Sequence, residues 1–352
     1  METKQKAMVI LTPGFPAGEA DTTCLPQLQM SVKALQQGNP TVKIVVLAFQ
    51  YPFVSDDYLW KGVRVIAFGG KSRRRLFRLA IWLRVWRKLT KLNREYHLAG
   101  LLSFWLGECA FVANWFSRLK GLPHYCWLLG QDAKAGNKYA GRLALKSGQL
   151  IALSDFIARE YARNYGVTPA NVIPLGIDVT AFTTPGPLKD IDILGAGSLI
   201  PLKQYDFFIH IISLLKPFYS NIKVVICGDG PEMERLKGLI KQSDLQDNIS
   251  LMGEVPHPEV LTFMQRSKIL LHTSAYEGFG AVCLEALYAG AHVVSFVKPM
   301  DAPIPEWHIA ESEEDMLEKI KAILDDPQTS CQPVLAYPAD RNAAAMAKLF
   351  NL

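Results

Sequence analysis

The first 180 residues alternate between short apolar runs and longer stretches in which apolar positions recur at helical spacing. Runs such as AMVIL at 7–11 and VKIVVLAF at 42–49 are typical of strands that are buried on both faces. Because strand and helix patterns follow one another, they predict a parallel sheet covered by helices on both sides. Strands are expected at 7–11, 42–49, 63–68, 98–104, 125–129 and 150–153, and helices at 24–37, 107–120 and 155–165.

The same alternation begins again after residue 190, which predicts a second sheet of the same kind. Phe182 and the TTPGPL that follows separate the two halves, and their prolines and glycine are typical of a linker. We therefore predict a first domain at 1–182, a second at 188–335 and a final helical segment at 336–352. Strands are expected at 191–196, 223–227, 249–252, 269–273 and 291–296, and helices at 205–215, 232–242, 258–266, 281–289 and 312–324.

Composition agrees with a two-domain cytoplasmic protein. The chain has 352 residues, or two domains of roughly 150 residues, and 49% apolar residues exclude wholesale disorder. No apolar stretch reaches the ~18 residues of a membrane span, and a charged segment directly before AMVIL does not fit a signal peptide. The six cysteines show neither metal-ligand nor disulfide spacing, so we expect reduced core residues.

The net charge of +5 conceals two halves of opposite sign. Residues 1–180 carry 24 Lys and Arg against 11 Asp and Glu, whereas residues 181–352 carry 14 against 22. A basic half predicts an acidic partner, either a membrane surface or a nucleic acid. No nucleic-acid motif accompanies the charge, so the sequence favours the membrane.

The segment 71–94, KSRRRLFRLAIWLRVWRKLTKLNR, concentrates this charge. It holds ten Lys or Arg and no acid, together with a wide apolar face that includes Trp82 and Trp86. This composition is typical of a helix that lies in a membrane interface, where each basic residue contributes roughly 1 kcal/mol on an anionic leaflet. The alternative is a core helix with a solvated basic face. We predict peripheral docking at the inner face of the membrane.

The stretch 269–295 carries the strongest candidate chemistry. It predicts a strand, a turn with Gly278 and Gly280, a helix and a second strand. Amides at that helix N-terminus offer a phosphate site, Glu285 within the helix could accept hydrogen bonds from ribose hydroxyls, and Glu277 could bind hydroxyls of the attached group. Together they describe a nucleotide-sugar site. The alternative is that Glu277 caps the helix and Glu285 is solvated, although a carboxylate among Ala, Leu and Cys needs partners.

Glu277-Gly278-Phe279-Gly280, with Glu285 eight residues after Glu277, resembles the E-x7-E signature of the family 4 retaining glycosyltransferases. The resemblance implies a GT-B fold, in which two doubly wound Rossmann-like domains face each other across a cleft. It implies that the first domain binds the acceptor, that the second binds a nucleotide diphosphate sugar, and that the last helix packs back toward the first domain. It also implies retention of anomeric configuration.

The resemblance extends to other loops that follow strands, where ligands of open parallel sheets bind. It assigns a loop at Gly14 to the donor phosphates or the acceptor, Asp132 to the sugar, Lys203 to the diphosphate, and the backbone near Val255 to the base. Gln131 stands where the family often has histidine, and Ser198 where it often has arginine. Among these, Glu277, Lys203 and Asp132 are the expected catalytic residues, and the expected donor-binding residues are Gly14, Ser198, Lys203, Gly228, Val255, Glu277, Gly278, Phe279, Gly280 and Glu285.

The sequence thus predicts transfer of a sugar from a nucleotide diphosphate sugar to a hydroxyl of a glycan or lipid-linked acceptor in cell-surface polysaccharide or glycolipid synthesis. Helix amides and Lys203 would stabilise the departing diphosphate, so we expect neither a metal nor another cofactor; no Asp-x-Asp pair is clustered in the sequence. Two alternatives remain: a membrane-docked nucleotide-sugar-binding protein without catalysis, and a phosphorylase or epimerase on the same fold.

Overall fold

A computed structural model describes residues 4–71, 75–182 and 188–352. It consists of two compact units. The first comprises Met1–Gly176 together with Tyr337–Leu352, and the second comprises Ile177–Ala336. Within the predicted linker, residues 183–187 lie outside the described part of the chain, as do residues 72–74 of the predicted basic helix.

The first unit is built on one eight-stranded sheet with the strand order β3-β4-β2-β1-β5-β6-β7-β8. All neighbouring strands are parallel except β3 and β4. The order reverses between β1 and β5, as expected of a doubly wound sheet. The strands are β1 (Lys6–Gly14), β2 (Lys43–Tyr51), β3 (Ser55–Trp60), β4 (Val63–Phe68), β5 (His97–Phe104), β6 (His124–Leu128), β7 (Leu150–Ala152) and β8 (Asn171–Val172).

Strand β3, like the two-residue strand β8, was not predicted by the apolar pattern. Its sequence SDDYLW is largely exposed and pairs antiparallel with β4 at the edge of the sheet. Asp57 there contacts Arg64 at 2.9 Å and Lys88 at 3.1 Å. An edge strand is exposed to solvent and tolerates charged side chains, which discourage pairing with other chains. Such a strand therefore lacks the apolar run that identifies a central strand in the sequence.

Helices cover both faces of this sheet. The helix of the basic segment buries Ile81, Val85, Leu89 and Leu92 against the sheet, at the spacing of one helical face. Ser154 accepts a hydrogen bond from the Ile157 amide and so caps the predicted helix at 155–165. The helices before residue 176 are α1 (Pro26–Gly38), α2 (Arg75–Glu95), α3 (Glu108–Lys120), α4 (Lys138–Leu143) and α5 (Asp155–Tyr165).

The second unit contains a six-stranded sheet with the order β11-β10-β9-β12-β13-β14, parallel throughout. This is the doubly wound order, and it reverses between β9 and β12. The strands are β9 (Ile191–Ala196), β10 (Val224–Cys227), β11 (Ile249–Gly253), β12 (Ser267–His272), β13 (His292–Ser295) and β14 (Trp307–Ile309), and the helices are α6 (Tyr205–Leu215), α7 (Met233–Gln242), α8 (His257–Arg266), α9 (Ala281–Tyr288) and α10 (Glu313–Asp325).

Each unit has its own apolar core, in which helix side chains pack on strand side chains. Phe208, Ile212 and Leu215 of α6 are buried against the second sheet. All six described cysteines are free thiols, and four of them are buried, as predicted. Cys24 is only half-buried and Cys331 is exposed, so the expectation that they are core residues was wrong for Cys331.

The C-terminal helix α11 (Ala339–Leu349) belongs to the first unit and packs on α1. Asn342 donates a hydrogen bond to the Pro174 carbonyl at 3.0 Å. Phe350 is buried and meets Tyr125 edge to face, with ring centroids 4.9 Å apart. A Cβ on Gly100 would lie 2.7 Å from the Phe350 ring, so the tail fits a surface that a larger residue would obstruct.

Replacing Phe350 with alanine should destabilise the first unit. Removal of a buried phenylalanine ring costs about 3–5 kcal/mol, because apolar burial is lost and a cavity remains. Urea unfolding should show this loss in the transition of the first unit. The exposed Lys348→Ala change in the same helix is the matched control and should leave the midpoint unchanged. Equal stability of the two variants would mean that the tail does not contribute to the fold of this unit.

Candidate functional site

The reversal of strand order in the second sheet brings two predicted loops together. Loops after β9 and β12 leave the sheet in opposite directions and form a crevice where ligands of such sheets bind. Backbone and hydroxyl contacts join them: the Ala275 amide donates to the Leu202 carbonyl at 3.0 Å, and Thr273 Oγ1 donates to the Lys203 carbonyl at 2.9 Å. The two loops are therefore held in one fixed arrangement.

An ion pair between Lys203 and Glu277 lies at the centre of this crevice. Lys203 Nζ is 3.0 Å from Glu277 Oε1 and 3.1 Å from Oε2. Both side chains are largely covered, with 19% and 21% exposure. Partial burial reduces solvent screening, so each charge fixes the position of the other. The structure thus brings together two of the three predicted catalytic residues.

The N-terminus of α9 lies directly after Glu277. Gly280 has a positive φ of 81° and precedes the first helical residue, so the residue at the N-cap position has no side chain that could cap the helix. Helix amides that lack a side-chain cap favour an anion. The Phe279 side chain is buried against Trp307, with ring centroids 6.1 Å apart. Its ring therefore anchors the loop in the core, while the adjacent glycines shape the backbone.

Glu285 is almost fully buried in α9 and has a partner that the sequence did not reveal. His257 Nε2 lies 2.9 Å from its Oε1. Burial lowers the pKa of His257, but the hydrogen bond and the charge of Glu285 outweigh it, so the net shift is upward. His257 begins α8, two residues after Val255. Glu285 is not a solvated helix residue; the alternative interpretation of this residue was wrong.

The other predicted donor residues lie in neighbouring loops of the same sheet edge. Gly228 follows β10 with a φ of 149°, and any Cβ there would collide with the Gly197 carbonyl. Its amide donates to the Gly253 carbonyl at 2.8 Å, which links the loop after β10 to the end of β11. Val255 follows β11 and is half-buried, and Ser198 is exposed after β9. These loops adjoin at one edge of the sheet.

Gly14 and Asp132 are in the first unit. Gly14 ends β1 beside Tyr51, and the loop after it is fixed by Asp21, which accepts hydrogen bonds from the Ala17 and Cys24 amides and from the Tyr51 hydroxyl at 3.0, 3.1 and 2.7 Å. The switch between β1 and β5 is the corresponding crevice of this sheet. Gly14 therefore lies where a ligand of the first unit would approach.

Asp132 joins two loops at that same edge. Its carboxylate accepts hydrogen bonds from the amides of Leu106 at 2.8 Å, Leu129 at 3.1 Å and Gly130 at 2.9 Å. Leu106 follows β5 and the other two follow β6. Burial raises the pKa of Asp132 to about 6, in spite of the amides that favour its charged form. These contacts describe a carboxylate that fixes loops, and its predicted catalytic role stays a prediction.

A polar cluster around Glu108 was not predicted. Glu108 begins α3 directly after β5, and it contacts the Gln50 amide, Arg78 Nε at 3.3 Å and Trp82 Nε1 at 2.9 Å. Its side chain is only 10% exposed. A carboxylate just after a strand, at the point where the strand order reverses, is a ligand candidate. The sequence shows the strand and the carboxylate but not the strand order, so it could not locate that point.

Changing Asp132 to alanine tests the loop-fixing role. The buried amides of Leu106 and Gly130 would lose their acceptor, at about 1–3 kcal/mol each, so the midpoint of thermal or urea unfolding should fall. In the wild type the raised pKa means that the folded state holds the proton more tightly than the unfolded state. The resulting contribution to stability is present below pH 3.8 and is lost as the pH rises through about 6.

The exposed neighbour Gln131→Ala provides the control and should unfold as the wild type does. An Asp132→Ala variant with the same unfolding midpoint as the wild type would contradict the loop-fixing role. The predicted catalytic role would then be the better explanation of this carboxylate.

Comparison with known protein families identifies the second unit. Residues 180–333 match the family model described as Glycosyl transferases group 1. A curated relative is a subunit of the phosphatidylinositol N-acetylglucosaminyltransferase of Arabidopsis thaliana, which is 28% identical over 181 residues. That match covers 50% of this chain and 40% of the relative. The chain thus spans less than half the length of this curated relative.

Solved structures establish the fold over nearly the whole chain. The Anabaena protein HepE, crystallised with UDP and glucose, has a TM-score of 0.67 at 16% identity and covers 98% of this chain and 95% of its own. Sucrose-phosphate synthase from Thermosynechococcus elongatus has a TM-score of 0.72 at 16% identity, and the match covers 99% of this chain and 98% of the synthase. The predicted fold of two doubly wound α/β domains, which is that of the GT-B glycosyltransferases, is confirmed, and residues 180–333 are similar to the glycosyl transferases group 1 family.

Proposed function

We propose that this protein transfers a sugar from a nucleotide diphosphate sugar to a hydroxyl of a glycan or lipid-linked acceptor, as a family 4 enzyme that retains anomeric configuration. The observation that carries the proposal is the Lys203–Glu277 pair at the switch point, directly before the N-terminus of α9. All of these groups lie in the second unit. A donor can therefore be held by one unit alone.

The site must stabilise a diphosphate as it leaves the sugar. As the bond between the anomeric carbon and the β-phosphate oxygen breaks, negative charge grows on that oxygen. Lys203 and the amides of Gly280 and Ala281 supply positive potential at fixed positions, which stabilises the transition state more than the ground state. These groups provide the charge for which other transferases use a metal ion, and we propose a metal-independent reaction.

The two glutamates have different tasks in this proposal. When the diphosphate engages Lys203, Glu277 is released from part of its ion pair and can accept hydrogen bonds from hydroxyls of the sugar. Oε1 of Glu285 is held by His257, and its second oxygen can accept hydrogen bonds from ribose hydroxyls. Two hydroxyls and one carboxylate form a strong, oriented contact. This arrangement distinguishes a nucleotide donor from a free sugar phosphate.

The donor and the acceptor are proposed from the relatives. The Arabidopsis relative is named for transfer of N-acetylglucosamine to phosphatidylinositol, and the HepE structure contains UDP. We therefore propose a UDP-hexose or UDP-N-acetylhexosamine as donor, and a lipid-linked hydroxyl as acceptor, with the first unit supplying the acceptor site.

A lipid-linked acceptor agrees with the surface of α2 and α3. Leu79 and Leu83 of α2, and Trp115 and Leu119 of α3, are each more than half exposed. The basic residues Arg87, Lys91 and Arg94 are on the outward side of α2, and Arg118 and Lys120 end α3. We name this surface the α2–α3 face. Trp82 and Trp86 are not part of it, because they pack against Phe111 and Phe116.

Apolar side chains surrounded by cations are suited to an anionic lipid surface. No helix in the described part of the chain is long and apolar enough to cross a membrane. We propose that the α2–α3 face docks peripherally on the inner leaflet and brings the first unit to its acceptor.

Turnover tests the donor site. Purified protein should hydrolyse or transfer from at least one of a panel of UDP- and GDP-sugars, measured as released nucleotide. Lys203→Ala should lower kcat by roughly 100-fold or more, because a preorganised charge facing the transition state is lost. Glu285→Ala should mainly raise the dissociation constant of the free nucleotide, measured by calorimetry.

Lys237→Ala is the matched control, since Lys237 is an exposed lysine of the same unit that pairs with Glu234 at 2.7 Å. It should behave as the wild type. Nucleotide binding without turnover of any donor, in the presence of a lipid-linked acceptor, would favour the binding-protein alternative. Release of a sugar phosphate in the presence of phosphate would favour the phosphorylase.

Flotation with liposomes tests the α2–α3 face. Wild-type protein should float with vesicles that contain anionic lipid and remain behind with purely zwitterionic vesicles. Leu79→Glu combined with Leu83→Glu should abolish flotation, because two acids on this face oppose both the apolar contact and the surface charge.

Phe218→Glu is a matched control in the second unit, where Phe218 is 66% exposed and lies beside Lys321. It should float as the wild type does. Equal flotation of the doubly substituted protein and the wild type would refute docking through this face while leaving the donor site untouched.

A further inference from the structure

Two histidines and a glutamate meet at the edge of the second sheet, away from the donor residues. His292 begins β13, His308 lies in β14 and Glu306 directly precedes β14. Because Val294 of β13 pairs with His308, the two histidines are diagonal neighbours on the sheet. One side-chain atom from each of the three residues lies within 4.8 Å of the others. We name these three residues the His–Glu–His cluster.

The separations within the cluster fit a small divalent cation. His292 Nδ1 is 3.0 Å from His308 Nε2 and 2.9 Å from Glu306 Oε2, and the last two atoms are 3.9 Å apart. A point equidistant from three atoms with these separations lies about 2.0 Å from each of them. Zinc binds histidine nitrogen at ~2.0–2.1 Å and carboxylate oxygen at ~2.0–2.2 Å.

The hydrogen bond of His292 to a backbone carbonyl agrees with the same ligand. Its Nε2 lies 2.8 Å from the carbonyl oxygen of Ser330, and a carbonyl only accepts, so Nε2 donates. The other ring nitrogen, Nδ1, faces Glu306 Oε2 at 2.9 Å and His308 Nε2 at 3.0 Å. A metal-bound histidine typically donates its other N–H to a carbonyl in this way.

Backbone strain at Glu306 brings the carboxylate into place. Glu306 has a positive φ of 58°, a left-handed conformation that is unfavourable for a non-glycine residue. Its carbonyl accepts a hydrogen bond from the Val293 amide at 2.9 Å, which fixes this conformation against β13. Strain of this kind persists where the surroundings impose it, often at ligand sites.

We propose that the His–Glu–His cluster binds one Zn²⁺ or a similar borderline divalent cation, with a fourth position open to water. Two imidazoles and a carboxylate are the ligand types that suit such ions. The site joins β13, the turn before β14, and the segment that carries Ser330. The site is separate from the candidate donor site, since His292 is at the N-terminal end of β13 whereas Lys203, Glu277 and α9 follow the C-terminal ends of β9 and β12.

Metal binding should be measured on chelator-treated full-length protein by equilibrium dialysis with Zn²⁺. We expect one equivalent per chain. His308→Gln and Glu306→Gln should each lower the affinity at least roughly tenfold. Both side chains are about one-third exposed, so the variants are expected to fold. The visible absorption of Co²⁺-loaded wild-type protein should show the d–d bands of a four-coordinate ion with nitrogen and oxygen ligands.

His210→Gln is the matched control, because His210 also pairs with a glutamate, Glu313, at 3.2 Å, but belongs to no cluster of three in the described residues. It should bind Zn²⁺ as the wild type does, and Zn²⁺ should raise the unfolding temperature of both. Absence of stoichiometric Zn²⁺ binding by the wild type, or an affinity of both cluster variants equal to that of the wild type, would overturn the proposal.

Discussion

The ion pair between Lys203 and Glu277 is the interaction on which the candidate donor site depends. Each residue belongs to a separate loop, and the pair forms only because the sheet reverses its strand order between β9 and β12. Contacts from Thr273 and Ala275 fix the two loops before any ligand arrives. A charge that is already held in place needs little reorganisation during reaction, and this preorganisation is what a departing diphosphate requires.

The candidate site residues of the two units are held in different ways. In the second unit, Glu277 forms an ion pair with Lys203, and Glu285 is hydrogen-bonded to His257. In the first unit, Asp132 is held by backbone amides, and burial raises its pKa. A cation and a carboxylate can exchange partners with a ligand, whereas amides that belong to two loops cannot move without moving the loops. The donor site is therefore proposed where exchange is possible.

The two surfaces proposed outside the donor site follow from the same sheet architecture. Helices α2 and α3 bury one side on the first sheet and present the opposite side, with Leu83 and Trp115, outward. The His–Glu–His cluster lies on an edge pair of strands in the second sheet. Both surfaces lie outside the packed core of a doubly wound sheet: one on the outer faces of its helices, the other at the ends of its edge strands.

The sequence determined the elements whose signal is local. Apolar runs located the central strands, helical spacing located the helix at 155–165, and the Glu277–Glu285 spacing indicated the candidate donor site before any strand order was known. The sequence did not predict edge strand β3, because a strand exposed to solvent carries polar residues. Tertiary structure alone decided which distant side chains meet: His257 with Glu285, Glu108 with Arg78, and His292 with His308. These pairs depend on strand order and register, and both are set by packing between segments far apart in the chain.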